Sequence, residues 1–304
     1  MEILVVDPNG AIGGVTAPVF QARGWTNSVV KDRVEAVTST LRSVPDVILI
    51  HGDGAAGDAA HLCQRLKANP LTAGIPLVLV EDGVPPAWML MSMPADAVAQ
   101  APWEPPELIH HIEVLSPSLN GTGLMDDLTN YPRRRSVITE LERRMVAREV
   151  FSAGLLTLRE ADAYRQDYGR TGLDQFVVLV SILLRRNAAG GTPVSIGYLD
   201  EGAFLVLGSP NTVHRVVAQT IREFEALVPA FYEMDALFGH EEQEAGPKTW
   251  IGVHGSVCVI EPGRYDNVLQ IGFVLAETIA AGNDTLRDVS AREAPTRARS
   301  FAAD

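Results

Sequence analysis

Short apolar runs separated by polar, turn-rich stretches mark the first third of the chain. Residues 3–6 (Ile-Leu-Val-Val), 46–50 after Pro45 and 77–80 after Pro76 are strand-length hydrophobic runs, and 97–99 is a weaker fourth. Between them, 17–23 reads as a helix ending at Gly24, and 59–68 as a helix with Leu62 and Leu66 on one face. A closing helix spans 105–115. Uninterrupted apolar strands alternating with helices predict a parallel sheet covered on both faces.

Past residue 115 the pattern changes. Ser116-Pro117-Ser118-Leu119-Asn120-Gly121-Thr122-Gly123 is a linker by composition. A helix over 133–151 carries Val137, Leu141 and Met145 on one face, and 155–159 is a strand. A strongly apolar helix covers 175–186. Residues 194–198 and 203–207 form a hairpin with Leu199-Asp200-Glu201-Gly202 at its turn. The helix at 211–227 has a core stripe of Val213, Val216, Val217, Ile221 and Phe224; a strand at 250–260 and a helix at 267–281 follow. The expected organisation is a domain over 1–115, a linker over 116–125, a second domain over 126–290 and a disordered tail over 291–304.

Composition narrows the function. The chain has 304 residues, 46% hydrophobic and 21% charged, as in ordinary globular proteins. No apolar run reaches the roughly 18 residues of a membrane span, so direct membrane insertion is not expected. The start has no basic region of the kind that opens a secretory signal, which points to the cytoplasm. Cys63 and Cys258 read as buried free thiols in a reducing compartment. Net charge is −13, with 6 Lys+Arg against 13 Asp+Glu in 1–115 and 19 against 25 in 116–304. A chain acidic in both halves is a poor nucleic-acid binder, because phosphate-backbone affinity comes from Lys and Arg displacing counterions.

Motifs sharpen the picture. Ile3-Leu4-Val5-Val6-Asp7, Pro45-Asp46-Val47-Ile48-Leu49-Ile50-His51, Ile75-Pro76-Leu77-Val78-Leu79-Val80 and Ala101-Pro102-Trp103-Glu104-Pro105-Pro106-Glu107-Leu108 occur in that order. Together they resemble the receiver domain of two-component response regulators. The resemblance implies a doubly wound, five-stranded parallel sheet of flavodoxin-like α/β type, with a phosphorylated aspartate. The reactive positions depart from it. Asp7 remains of the Mg²⁺-holding acidic pair, and Pro8 replaces its neighbour. His51 stands at the phosphoacceptor, Glu81 at the switch hydroxyl and Ala101 at the phosphate-sensing lysine. Asp53, two residues on, reads as a turn aspartate rather than a displaced acceptor. His51 reads as structural.

In the second half, Asp126-Asp127-Leu128-Thr129-Asn130-Tyr131-Pro132-Arg133-Arg134-Arg135 resembles the opening of GGDEF domains, the diguanylate cyclase family, and Asp200-Glu201-Gly202-Ala203-Phe204 falls at its signature. The resemblance implies an α+β nucleotide cyclase-like fold that holds GTP with Mg²⁺. Here Asp200 and Glu201 replace the two glycines, and Gly202 replaces a metal ligand. Two carboxylates facing a polyanion repel it, and a glycine side chain cannot bind a metal. Thr157 replaces the other metal-binding aspartate. Arg165 and Gln166 replace the pair that reads the guanine edge; Asp174 is kept. No Arg-x-x-Asp precedes Asp200, so the family's inhibitory product site is not expected. The run Arg133-Arg134-Arg135 reads as a solvated helix start pairing with Glu140 and Glu142. His240-Glu241-Glu242-Gln243-Glu244 reads as a solvated acidic loop.

The expectation is therefore a catalytically inactive scaffold, a pseudo-receiver joined to a pseudo-cyclase, without cofactor or bound metal and acting on a protein partner, with homodimer pairing a further option by resemblance. Trp88, Met91 and Trp103 are candidates for the contact surface, with burial inside the first domain as the alternative. The competing functions are an effector that binds GTP or cyclic di-GMP without turnover, and an active cyclase of unusual site.

Overall fold

The computed structural model describes residues 1–52, 57–83, 94–115, 125–237, 250–281 and 286–288. The chain divides into two compact units, Met1–Gly123 and Leu124–Asp304.

In the first unit, β1 (Glu2–Val6), β2 (Thr26–Val30), β3 (Val47–Gly52), β4 (Leu77–Glu81) and β5 (Ala97–Gln100) alternate with α1 (Gly13–Ala22), α2 (Arg33–Ser43), α3 (Gly57–Ala68) and α4 (Pro105–Leu115). The strands form one parallel sheet in the order β2-β1-β3-β4-β5. That order is the flavodoxin-like doubly wound arrangement, as the sequence predicts. Ile3, Val5, Leu49, Val78 and Val80 pack against Phe20, Leu108 and Ile112 in its core. The hydrophobic pattern passes over β2 and α2. β2 is an edge strand with only Val30 buried, and its Thr26-Asn27-Ser28 start is polar, so it carries no apolar run. α2 is set by Asp32, whose carboxylate accepts from the Val34 amide at 2.7 Å and caps the helix.

The second unit holds α5 (Arg134–Val146), β6 (Phe151–Arg159), α6 (Ala161–Ala188), β7 (Ser195–Asp200), β8 (Ala203–Gly208), α7 (Pro210–Leu237), β9 (Gly252–Ile260), α8 (Val268–Ala280) and β10 (Leu286–Asp288). Its sheet runs β10-β9-β6-β8-β7, antiparallel except for the β10–β9 pair. The expected α+β domain is present. β6 begins at Phe151, where the sequence suggests helix, because Phe151, Ala153 and Leu155 are already buried against the sheet's neighbours.

α7 also runs ten residues past Leu227. Val228, Pro229, Phe231 and Tyr232, past the predicted end of the helix at 227, continue it. Aromatic packing holds them. The Phe231 and Tyr232 rings lie 5.3 and 6.3 Å from Phe176, and the Tyr232 hydroxyl accepts from the Ile251 amide at 2.9 Å. α6 kinks at Gly169 (φ 76°, ψ 175°), a conformation glycine adopts without cost.

The acidic loop at 240–244, the tail over 291–304 and the linker apart from Met125 lie outside the described residues. Among the described residues, no helix is long and apolar enough to cross a membrane.

Candidate functional site

In open α/β sheets, ligands bind beyond the carboxyl ends of the strands. In the first unit that edge brings together Asp7 after β1, His51 on β3, Glu81 ending β4 and Asp82. Asp7 is fully buried and already engaged: its Oδ1 accepts from the Ala11 amide at 2.9 Å, and its Oδ2 from Ile12 at 3.0 Å and Gly13 at 2.7 Å. It is thus the anchor for the N-terminus of α1, where amides are left over. A carboxylate offers about four acceptor sites, and three are taken. The fourth side faces His51, whose Nδ1 lies 3.4 Å from Asp7 Oδ1. Pro8 follows in the turn and offers no ligand. Mg²⁺ as the receiver resemblance implies it does not fit these residues.

His51 is itself buried, its other nitrogen 3.0 Å from Asp82 Oδ1. A phosphoryl group on either nitrogen would meet a carboxylate, so a phosphohistidine is disfavoured by charge. Glu81 is also buried, and the Ala101 amide donates to its carbonyl oxygen at 2.9 Å. Asp53 lies outside the described residues.

In the second unit a cleft of about 590 Å³ opens beside the β7–β8 turn, lined among others by Leu158, Glu160, Asp162, Arg165, Gln166 and Glu201. Thr157 sits on β6 directly between Ala203 and His254 on the adjacent strands. His254 is a neighbour that sequence reading passes over; its periodicity is that of any strand residue. Burial holds its imidazole below the usual histidine range, with Arg159 adding to the depression. Gly202 has φ +81°, and a Cβ there would come within 2.6 Å of Leu158 Cδ1. Leu158 therefore fills the space that a metal-ligating side chain at this position would need. No sequence signal marks that role.

Three carboxylates, Glu160, Asp162 and Glu201, line the cleft against one guanidinium, Arg165. Arg165 donates to Asp162 at 2.7 Å and lies 3.5 Å from Glu201 on the hairpin. Tyr164 before it is buried, stacks on Tyr168 at 4.4 Å and meets Phe176 edge-on at 5.3 Å. The segment that would read a guanine edge is thus welded to the core, with Gln166 exposed beside it. Asp174 is half-buried further along α6. Phe204 is fully buried, 5.0 Å from the Tyr198 ring and edge-on to Tyr131. Burial pushes the Tyr198 phenol up. Its oxygen accepts from the Gly202 amide at 3.3 Å, which opposes the rise, while Asp200, Asp126 and Asp174 add to it.

The first two arginines of the run are held by other partners than Glu140. Arg133 lies 3.2 Å from Asp127 and donates to the Met125 carbonyl. Arg134 reaches under the hairpin, donating to the Leu199 carbonyl and standing 3.8 Å from Asp200. Burial pushes its guanidinium down, and Asp200 and Glu201 oppose that shift. Glu140 is taken instead by Arg143 and Arg144, one turn along. Arg134 thus ties the helix start to the turn, while Arg135 is exposed. Trp103 is half-buried and packs against the core of the first unit. Trp88 and Met91 lie outside the described residues. Among the described residues, no group of three or more His, Cys, Asp or Glu is arranged to hold a metal ion.

No protein-family model and no curated protein matches the chain. Solved structures do. A response regulator from Desulfuromonas acetoxidans is 22% identical over 39% of this chain and 98% of its own, with a TM-score of 0.34. The GGDEF domain of DgcB from Caulobacter crescentus, in complex with c-di-GMP, is 18% identical over 54% of this chain and 94% of its own, TM-score 0.38. The FimX GGDEF domain from Pseudomonas aeruginosa is 14% identical over 55% of this chain and 99% of its own, TM-score 0.41. By strand order and element sequence, the chain is a receiver-type fold followed by a GGDEF-type fold.

Proposed function

We propose that this chain is a non-catalytic cytoplasmic signalling protein, a pseudo-receiver joined to a pseudo-diguanylate cyclase, that works through contact with a protein partner. The observation that carries the reading is the acidic cleft: Glu160, Asp162 and Glu201 line it against a single lining cation, Arg165, and Leu158 fills the space beneath Gly202. A triphosphate entering there meets three carboxylates against one guanidinium, and their repulsion opposes it. The departures in the first unit support the same reading. Asp7 is spent on backbone amides, and His51 offers no acyl-phosphate chemistry. Both hydrophobic cores are nevertheless complete, as an interaction scaffold requires.

Calorimetry on the full chain tests this. Neither GTP with Mg²⁺ nor cyclic di-GMP is expected to bind, and no cyclic di-GMP is expected to form from GTP. The non-turnover effector is the second reading, favoured by the cleft's remaining volume of about 590 Å³; micromolar binding without product would establish it instead. Product formation from GTP would overturn both. Incubation with acetyl phosphate and Mg²⁺ is expected to leave the mass of the chain unchanged.

A further inference from the structure

Three strand exits meet at one point of the first unit. Asp7 follows β1, His51 and Gly52 end β3, and Glu81 with Asp82 leaves β4. Asp7, His51 and Glu81 are each at most 2% exposed. Buried carboxylates in such proximity are costly unless something of complementary character stands between them. The side chain that stands there is His51, with Nδ1 3.4 Å from Asp7 and Nε2 3.0 Å from Asp82. Both contacts are at ion-pair range rather than in aligned hydrogen-bond geometry. The neighbouring residue is fitted to this arrangement. A Cβ on Gly52 would fall 2.1 Å from Glu81 Oε1, so the glycine makes the room in which the Glu81 carboxylate lies.

We propose that His51 is an internal strap: its imidazole stands between Asp7 and Asp82, takes up the pocket in place of a cation, and holds the exit of β4 in one position. Asp7 cannot turn away, because three amides of the α1 start fix its carboxylate. The strap therefore ties a half-exposed partner, Asp82, to one that is fixed by backbone amides. The first unit then keeps one state whatever the supply of divalent cation or phosphoryl donor. This deepens the non-catalytic reading for the first unit. It stands or falls apart from the nucleotide test, which reads the second unit.

Hydrogen exchange and Mn²⁺ titration of the full chain test it. His51→Phe keeps a ring and removes both nitrogens; exchange in the peptide over 77–83 is expected to rise about tenfold, the scale of one lost polar contact, with exchange in the second unit unchanged. Asp82→Ala, at an exposed position, is expected to show the same rise if the Phe variant does not fold. His51→Gln, which keeps a donor, is expected to recover part of the protection. Millimolar Mn²⁺ is expected to leave the amide signals of Asp7, His51 and Gly52 in the wild type unbroadened. Unchanged exchange in the folded His51→Phe and Asp82→Ala variants, or saturable Mn²⁺ broadening at these amides in the wild type, would overturn the proposal.

Discussion

Asp200, Glu201 and Gly202 pass through three consecutive positive φ values of 122°, 46° and 81°. L-residues with a Cβ pay roughly 1–2 kcal/mol to sit in the left-handed region, and the turn holds two of them. The backbone thus follows a path that suits glycine, while two of its three positions carry acids. This yields a stability test. Glu201→Gly removes the left-handed penalty and loses an exposed ion pair, 3.5 Å from Arg165, of a kind worth less than about 1 kcal/mol, together with the smaller of the two acidic contributions that favour the Arg134 charge. It is expected to stabilise the second unit by about 1 kcal/mol in chemical denaturation. A loss of stability would mean that the Arg165 contact matters more than the strained turn. Asp200 is a less clean site for the same test, since the partly buried Arg134 faces it.

At the scale of elements, α5 shows how charge fixes a helix. Glu140 receives the Arg143 guanidinium at 2.8 and 3.0 Å and Arg144 at 2.7 Å. The Arg143 hydrogen bonds, helped by Arg144, hold its carboxyl down to about 2, against an ordinary 4.5. A carboxyl depressed in the folded state adds stability above its unfolded value and loses it as pH falls toward the folded one. Glu140→Gln is therefore expected to cost about 1 kcal/mol at neutral pH. The gap to the wild type should close between about pH 4.5 and 2. An unfolding series across that range that kept a constant gap would assign the loss to packing instead.

The same scale explains what could be read from the chain. β1, β3 and β4 are legible because both their faces are buried, which leaves an unbroken apolar run. β2 is not, because an edge strand needs only Val30 inside. The replaced site positions are legible from their order along the chain. What fills the space around them is not. Leu158 under Gly202 and Glu201 on Arg165 are contacts made across a fold, and a one-dimensional pattern carries no trace of them. Glu140 pairs with Arg143 and Arg144 three and four residues on, a helical spacing that the sequence does carry. The helix start is drawn to the hairpin by Leu199 and Asp200, contacts 65 and 66 positions away in sequence.

For the whole molecule, the question is whether the two units need one another to fold. The core of the first, from Ile3 to Ile112, draws on residues of that unit alone, and the aromatic and aliphatic core of the second, from Tyr131 to Val257, on its own. Each sheet is completed by strands of one unit, with no strand shared. Burial within a unit is the dominant favourable contribution to folding, and a segment of over 100 residues with its own core is large enough to fold independently. Chains of 1–115 and 125–290 expressed separately are therefore expected each to unfold in one cooperative transition. Their summed far-ultraviolet spectra should reproduce that of the full chain. Thermal midpoints within a few degrees of the corresponding full-length transitions would fit units whose stability is their own. A first unit that is molten alone, and recovers its cooperativity only when the second is joined to it, would show that the scaffold's stability depends on contact between them.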